Sequence, residues 1–170
     1  STSIPVTLLS TPLCIDPKNN EGLTQTKAEP TNPLYSLDKQ QSSLVYYDKN
    51  TIVLTMPYWV KVTNSSVEDS ELKKHSFVLS YDPTTMKDTD TKLKLYISHV
   101  VDDAGETVTR SNFTYAYRAY SIRDALTVFK EKTGKLPKYL ELTAKTNSSK
   151  DELKEESGET SVEYDYAFTE

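Results

Sequence analysis

Apolar residues recur along this chain at two distinct periods. Leu93, Leu95 and Ile97 alternate with Lys92, Lys94, Tyr96 and Ser98, the period-two pattern of a strand with one buried and one wet face. Residues 44–47 and 51–55 are rich in β-branched, aliphatic and aromatic side chains. Asp48-Lys49-Asn50 separates them with good turn formers, so the two runs predict a hairpin. Met56-Pro57 should interrupt that pairing, because proline has no N–H for a ladder, and a strand should resume over residues 58–63. Residues 65–74 are polar and charged and predict a loop or one exposed helical turn. Residues 76–81 predict a strand closed by Asp82-Pro83. The alternating run at 92–98 and the run at 107–120, joined through Asp102-Asp103-Ala104-Gly105, predict a second hairpin. On its return strand Phe113, Tyr115 and Tyr117 share one face, and Thr114, Ala116, Arg118 and Tyr120 share the other. The first set is the more apolar and is expected to face the core.

The helical period occurs once with conviction. Ile122, Ala125, Leu126 and Phe129 fall at spacings of three and four, so they form one stripe. Ser121 with Asp124 three residues on makes a capping-box-like start, and Gly134 followed by Pro137 ends the helix. A strand over 139–144, a polar run over 146–160 and a final alternation of Val162, Tyr164, Tyr166 and Phe168 follow. The expected fold is mainly β, a β-rich α+β class. It would be an antiparallel two-sheet sandwich or open barrel with one flanking helix near 121–133 and an extended N-terminal arm.

The arm is read from residues 1–43, and the β-rich domain from 44–170. Five of the eight prolines, Pro5, Pro12, Pro17, Pro30 and Pro33, lie in the arm, and residues 16–27 are almost wholly polar. Val6 to Leu9 and Leu34 to Leu37 are short apolar patches that could add to a sheet edge.

Composition narrows the chemistry. The 170 residues carry 20 basic and 25 acidic side chains, a net charge of −5, which argues against a nucleic acid partner. No apolar run approaches the roughly 18 residues of a membrane-crossing helix, so no membrane insertion is expected. One cysteine, Cys14, excludes an internal disulfide framework. His75 and His99 are far apart in sequence; His99, with Asp102 and Asp103 close behind it, reads as a surface histidine near a turn. Asp82, Asp88 and Asp90 share one loop but lack the glycine and closing glutamate of a calcium loop, so they read as a solvated acidic loop. No nucleophile elbow and no glycine-rich phosphate loop is present. The expectation is a non-enzyme with no cofactor, no metal and no catalytic residues.

Twelve tyrosines stand beside four phenylalanines and one tryptophan, and the three arginines, Arg110, Arg118 and Arg123, lie among Tyr115, Tyr117 and Tyr120. Tyrosine and arginine dominate interface hot spots, so Arg110, Arg118, Tyr120 and Arg123 are the candidate partner-binding residues. Residues 125–140, with Gly134-Lys135-Leu136-Pro137 between helix and strand, resemble the first half of the cell-wall-binding pseudomurein repeat in a single copy of about 16 residues; a helix stop before a strand explains the same residues. Together these features imply a structural subunit of a larger homo- or hetero-oligomeric assembly. A virion or phage particle component is the first expectation, contacting protein neighbours through the arm and polar loops. The alternative is a carbohydrate- or cell-wall-binding module at the cell surface or secreted.

Overall fold

The computed structural model describes residues 32–149 and 158–168. Strand β2 (Thr51–Val60) is the spine of the first sheet. It pairs antiparallel with β1 (Ser43–Asp48) on one side and with β5 (Asn112–Ser121) on the other. The second sheet runs β3 (His75–Ser80), β4 (Lys92–Val101), β6 (Tyr139–Thr146), β7 (Gly158–Asp165). A single helical turn, α1 (Asp69–Leu72), precedes β3, and α2 (Arg123–Thr133) joins β5 to β6. The two inner faces enclose the core. Ile52, Leu54, Met56, Tyr58 and Val60 of β2 face Leu93, Leu95 and Ile97 of β4 and Leu140, Leu142 and Ala144 of β6 across it. Fully burying an aliphatic side chain of this kind stabilises a fold by roughly 1.5–3 kcal/mol. The fold is thus the β-rich α+β two-sheet sandwich expected, and it is not a closed barrel.

The hairpin at Asp48-Lys49-Asn50 forms, with Asp48 Oδ1 accepting the Asn50 N–H at 2.8 Å. The helix forms too, and Gly134 ends it in the left-handed conformation at φ 77°, where a side chain would be strained. Its start lies one residue later than expected: Ile122 is the N-cap, and Ser121 Oγ just before it accepts the Arg123 N–H at 3.4 Å.

Four expectations need correction. Pro57 does not break β2. The β1 ladder ends at Ser43–Thr55, so beyond Thr55 that side of β2 is an edge where a missing N–H is tolerated. The Pro57 carbonyl, on the same side as its nitrogen, accepts the Tyr35 N–H at 3.0 Å.

The runs at 92–98 and 107–120 are not a hairpin. β4 and β5 belong to different sheets, because the Asp102–Ser111 link crosses between them; β4 instead pairs in parallel with β6. One pair in the sandwich is therefore not antiparallel.

The faces of β5 are reversed. Ala116 and Tyr120 are buried, while Phe113, Tyr115 and Tyr117 are exposed. The partner strand sets this parity. Inward-facing Ile52, Leu54, Met56 and Tyr58 sit directly opposite Tyr120, Arg118, Ala116 and Thr114, and directly opposed residues share a face.

The core does not begin at Leu44. Leu34 and Leu37 are fully buried, and Asn32 and Leu34 make backbone bridges to β4 and β6. Residues 32–43 are therefore built into the sandwich, because their two leucines fill the space between the sheets. Residues 1–31, with Cys14 and most of the arm's prolines, lie outside the described residues.

Candidate functional site

The two outer faces of the sandwich differ in kind. On the four-stranded sheet Lys92 bridges Glu163 at 2.5 Å and Glu141 at 3.7 Å, and the buried Thr143 bonds Ser161 at 2.7 Å, a face of matched polar pairs. The three-stranded sheet turns Val45 and Tyr47 of β1, Val53 of β2, and Phe113, Tyr115 and Tyr117 of β5 outward. Phe113, Tyr115 and Tyr117 are 42%, 40% and 62% exposed, a contiguous apolar row on one strand. β5 is also the edge of its sheet.

Residues 32–35 run as a strap at one end of this face. Tyr35 stacks on Phe113 with ring centres 4.2 Å apart and meets Trp59 edge-on at 5.0 Å. Trp59, itself buried, donates its indole N–H to the Asn147 carbonyl at 2.7 Å. The Phe113 and Tyr115 rings stand 6.0 Å apart at 81° to each other.

Of the four candidate contact residues, two are in the interior. Tyr120 is buried, and its hydroxyl donates to the Phe77 carbonyl at 2.7 Å; burial pushes its phenol above the ordinary value. Arg110 is fully buried between two carboxylates. It donates to Glu71 Oε1 at 2.6 Å and Oε2 at 3.3 Å, and to Asp103 Oδ1 at 2.6 Å and Oδ2 at 2.8 Å. Neither side chain is presented to a partner. Arg118 is half-buried, with its guanidinium 5.1 Å from the Phe77 ring centre. Arg123 is exposed beside a depression of about 210 Å³ that Lys49 and Lys130 also line, over Leu126, Leu136 and Tyr166. Arg118 and Arg123 are thus not brought together with Arg110 and Tyr120 into one surface.

Sequence reasoning missed a second cluster. Glu71 and His75 are four residues apart across the end of α1, and His99 is the neighbour of β3 on β4. Their side chains meet in the interior: His75 Nε2 is 3.1 Å from Glu71 Oε1, His75 Nδ1 is 2.8 Å from His99 Nε2, and His99 Nδ1 is 3.1 Å from the Pro33 carbonyl. Tyr58 approaches both rings edge-on. Burial pushes Glu71 up, but the bonds from Arg110, the Lys61 N–H and His75 outweigh it and hold the carboxyl at about 2. Burial first, with Glu71 pulling the other way, sets His75 low; burial and the neighbouring ring take His99 down to about 3. Arg110 likewise holds Asp103 low. The i, i+4 spacing of Glu71 and His75 was the one local signal. Asp82 and Asp90 cap their own turns: Asp82 Oδ1 accepts from Thr84 N at 2.9 Å, and Asp90 Oδ2 from Lys87 N at 2.8 Å.

No family model matches the chain, and no curated protein does. Among solved structures it is similar to a putative lipoprotein from Bacteroides fragilis, with a TM-score of 0.67 and 29% identity over 82% of this chain. The chain spans 64% of that protein's length.

Proposed function

We propose that this chain is a non-enzymatic, cell-surface protein-binding module that joins a larger assembly through the outer face and open edge of β5. One observation carries the reading: Phe113, Tyr115 and Tyr117 stay exposed, in a row, on a strand whose other edge has no partner among the described residues. An open strand edge offers backbone donors and acceptors to an incoming strand, and the alternate aromatic rings offer side-chain pockets. Tyrosine adds contact area at low entropic cost. The cell-surface location rests on the similarity to the Bacteroides fragilis protein and its description as a lipoprotein. A protein partner is favoured over a polysaccharide because the Phe113 and Tyr115 rings stand at 81°, whereas stacking along a sugar chain asks for rings facing the same way.

A photo-crosslinking residue at position 117, compared with one at Lys94 on the opposite outer face, tests this in intact cells. Protein adducts at 117 that disappear with Tyr115→Ser, and that do not form at 94, are expected. Adducts at both positions alike, or binding to a glycan array that needs Tyr117, would overturn the reading. Light scattering then tells a second copy from another protein.

A further inference from the structure

Two neutral imidazoles cannot satisfy the contacts that His75 and His99 make. Three contacts run in a row, from the Pro33 carbonyl to His99, from His99 to His75, and from His75 to Glu71, at 3.1, 2.8 and 3.1 Å. Each needs one N–H between its two heavy atoms, because a carbonyl and an ionised carboxylate only accept. Two neutral rings carry two N–H groups. Whichever tautomers they adopt, one contact is left with lone pair facing lone pair. A third ring proton fills every contact: His99 donates to Pro33, and His75 donates to both His99 and Glu71.

We propose that the buried pair holds this third proton at neutral pH, with the charge on His75, and that it latches the strap of residues 32–35 beneath the aromatic face of β5. The inference rests on the reading of that face as the contact surface and adds a regulation to it.

The proton belongs on the ring and not on Glu71. The Glu71 carboxylate already takes Arg110 Nε at 2.6 Å and the Lys61 N–H at 2.9 Å, which favour its charged form. The groups facing the pair from each element are consistent with this. α1 brings Glu71, and the short link from α1 to β3 brings Lys74, which reaches Asp103 at 3.5 Å. The link between β4 and β5 brings Asp103 and Arg110; β2 brings the Tyr58 ring; β3 brings Phe77 stacked on His99. With His75 charged, the buried Glu71 and the half-buried Asp103 meet two buried cations, Arg110 and His75. Burial disfavours an imidazolium and, with Arg110 nearby, lowers His75 even though Glu71 pulls the other way. In the neutral pair, however, a ring lone pair faces a carboxylate or a carbonyl at 3.1 Å or the other ring's lone pair at 2.8 Å, with the His75 side chain closed to water. The hydrogen count therefore decides for the cation. A second added proton would set two charged rings 2.8 Å apart, which agrees with His99 resisting protonation until about 3.

The latch reaches the surface through four short bonds. His99 holds Pro33 O by its ring and Asn32 N by its carbonyl at 2.7 Å. Leu34 N bonds Lys145 O at 2.9 Å, and Tyr35 N bonds Pro57 O at 3.0 Å. Tyr35 then lies on Phe113 and against Trp59. Removing the shared proton turns one link of the row repulsive and loosens the strap that seats Tyr35.

The pH dependence separates the two protonation schemes. If the folded pair holds one added proton, its pKa for losing it lies above the ordinary histidine value. The folded state then holds more protons than the unfolded chain on the alkaline side, and stability falls as pH rises toward that pKa. On the acid side the unfolded chain holds two protons against one, so stability also falls as pH drops below about 6.5. The unfolding constant should pass through a minimum near pH 6.5 and rise about tenfold per pH unit on either side, over pH 5–8. A neutral pair would give a flat alkaline side and about a hundredfold per unit on the acid side.

The test is denaturant unfolding of the full chain from pH 5 to 9, with NMR of ¹⁵N-labelled histidine at pH 7. Three protonated ring nitrogens across the two histidines are expected, and two would overturn the proposal. Glu71→Gln offers an amide N–H to His75 and should abolish the alkaline slope; if that variant does not fold, the wild-type NMR count decides alone. Acrylamide quenching of Trp59, the sole tryptophan, should rise as the third proton leaves with the fold intact; unchanged quenching would overturn the latch. None of these measurements involves a partner, so they succeed or fail independently of crosslinking at 117.

Discussion

Arg110→Ala should be among the most damaging single substitutions in the protein, and acid should partly repair it. The side chain is fully buried and satisfies four carboxylate contacts, two on Glu71 and two on Asp103. Removing it leaves Glu71, only 5% exposed, as a buried carboxylate without its arginine. Breaking one partner out of a buried pair costs about 3–5 kcal/mol. The Glu71 carboxyl gives a second route to the magnitude. Its fall from 4.5 to about 2 corresponds to about 3 kcal/mol of preference for the charged form in the fold, net of burial and shared between Arg110, the Lys61 N–H and His75, so Arg110 supplies only a part of it. A group with a depressed folded value contributes stability above its unfolded pKa and loses it as pH falls toward the folded one, so the Glu71 contribution to wild-type stability is lost below about pH 4.5. In the variant the Arg110 bonds no longer hold Glu71 low, so burial weighs more against the charged form, and protonating Glu71 relieves the charge left without its arginine. The cost of Arg110→Ala should therefore shrink from pH 7 to pH 4. Guanidinium unfolding of both proteins at the two pH values measures it, with circular dichroism as the probe. A loss under about 1 kcal/mol at pH 7, or a cost that grows on acidification, would refute the role assigned to this pair. Arg110→Met with Glu71→Leu should cost less than Arg110→Ala alone, because it removes the buried arginine and the buried carboxylate together.

Two further predictions concern the strand faces and the edge of the core. Tyr120→Ala should cost about 3–5 kcal/mol and Tyr120→Phe about 1–1.5 kcal/mol for the lost bond to the Phe77 carbonyl, while Tyr117→Ala stays within about 0.5 kcal/mol in chemical denaturation; the reverse order would mean that β5 pairs one residue out of register. Deleting residues 1–31 should leave cooperative thermal unfolding, whereas deleting 1–43 should abolish it or lower stability by several kcal/mol, since Leu34 and Leu37 are each worth about 2–5 kcal/mol in the core; equal melting of the two truncations would show that the strap adds nothing.

Much of the fold was legible because period and punctuation are local. The alternation of Leu93, Leu95 and Ile97, the turn at Asp48-Lys49-Asn50 and the stop at Gly134 each need only a few neighbouring residues to act. What could not be read depended on distant partners. A strand of alternating aromatics has two usable faces. Phe113, Tyr115 and Tyr117 looked like the core set because they are the more apolar, yet pairing with Ile52, Leu54 and Met56 turned Tyr120 and Ala116 inward. Arg110 looked like an interface residue because unpaired arginine stays at the surface, and its two carboxylates come from 39 residues away and from 7 residues away. His75 and His99, 24 positions apart, meet only because β3 pairs with β4. The link between β4 and β5 looked like a hairpin loop, but it carries Arg110 into the interior and its two flanking strands into different sheets.

The contrast between the two outer faces bears on what the module does. Both belong to one sandwich, so solubility alone would press them toward the same polar composition. The four-stranded face follows that pressure, with Lys92 set between Glu141 and Glu163 and a Thr143–Ser161 pair beside them. On the three-stranded face the cheap remedy, a lysine or a proline on the open edge of β5, is absent, and Phe113, Tyr115 and Tyr117 stand there instead. Tyr35 does not cover the row; it stacks on one end of it and extends it toward Trp59. A covering segment would hide these rings, whereas this strap adds one more ring to the surface. Its backbone is fixed by His99, Lys145 and Pro57, so that ring is held before any partner arrives, which lowers the ordering cost of binding. The buried charges and the exposed aromatics are therefore parts of one arrangement, joined through residues 32–35.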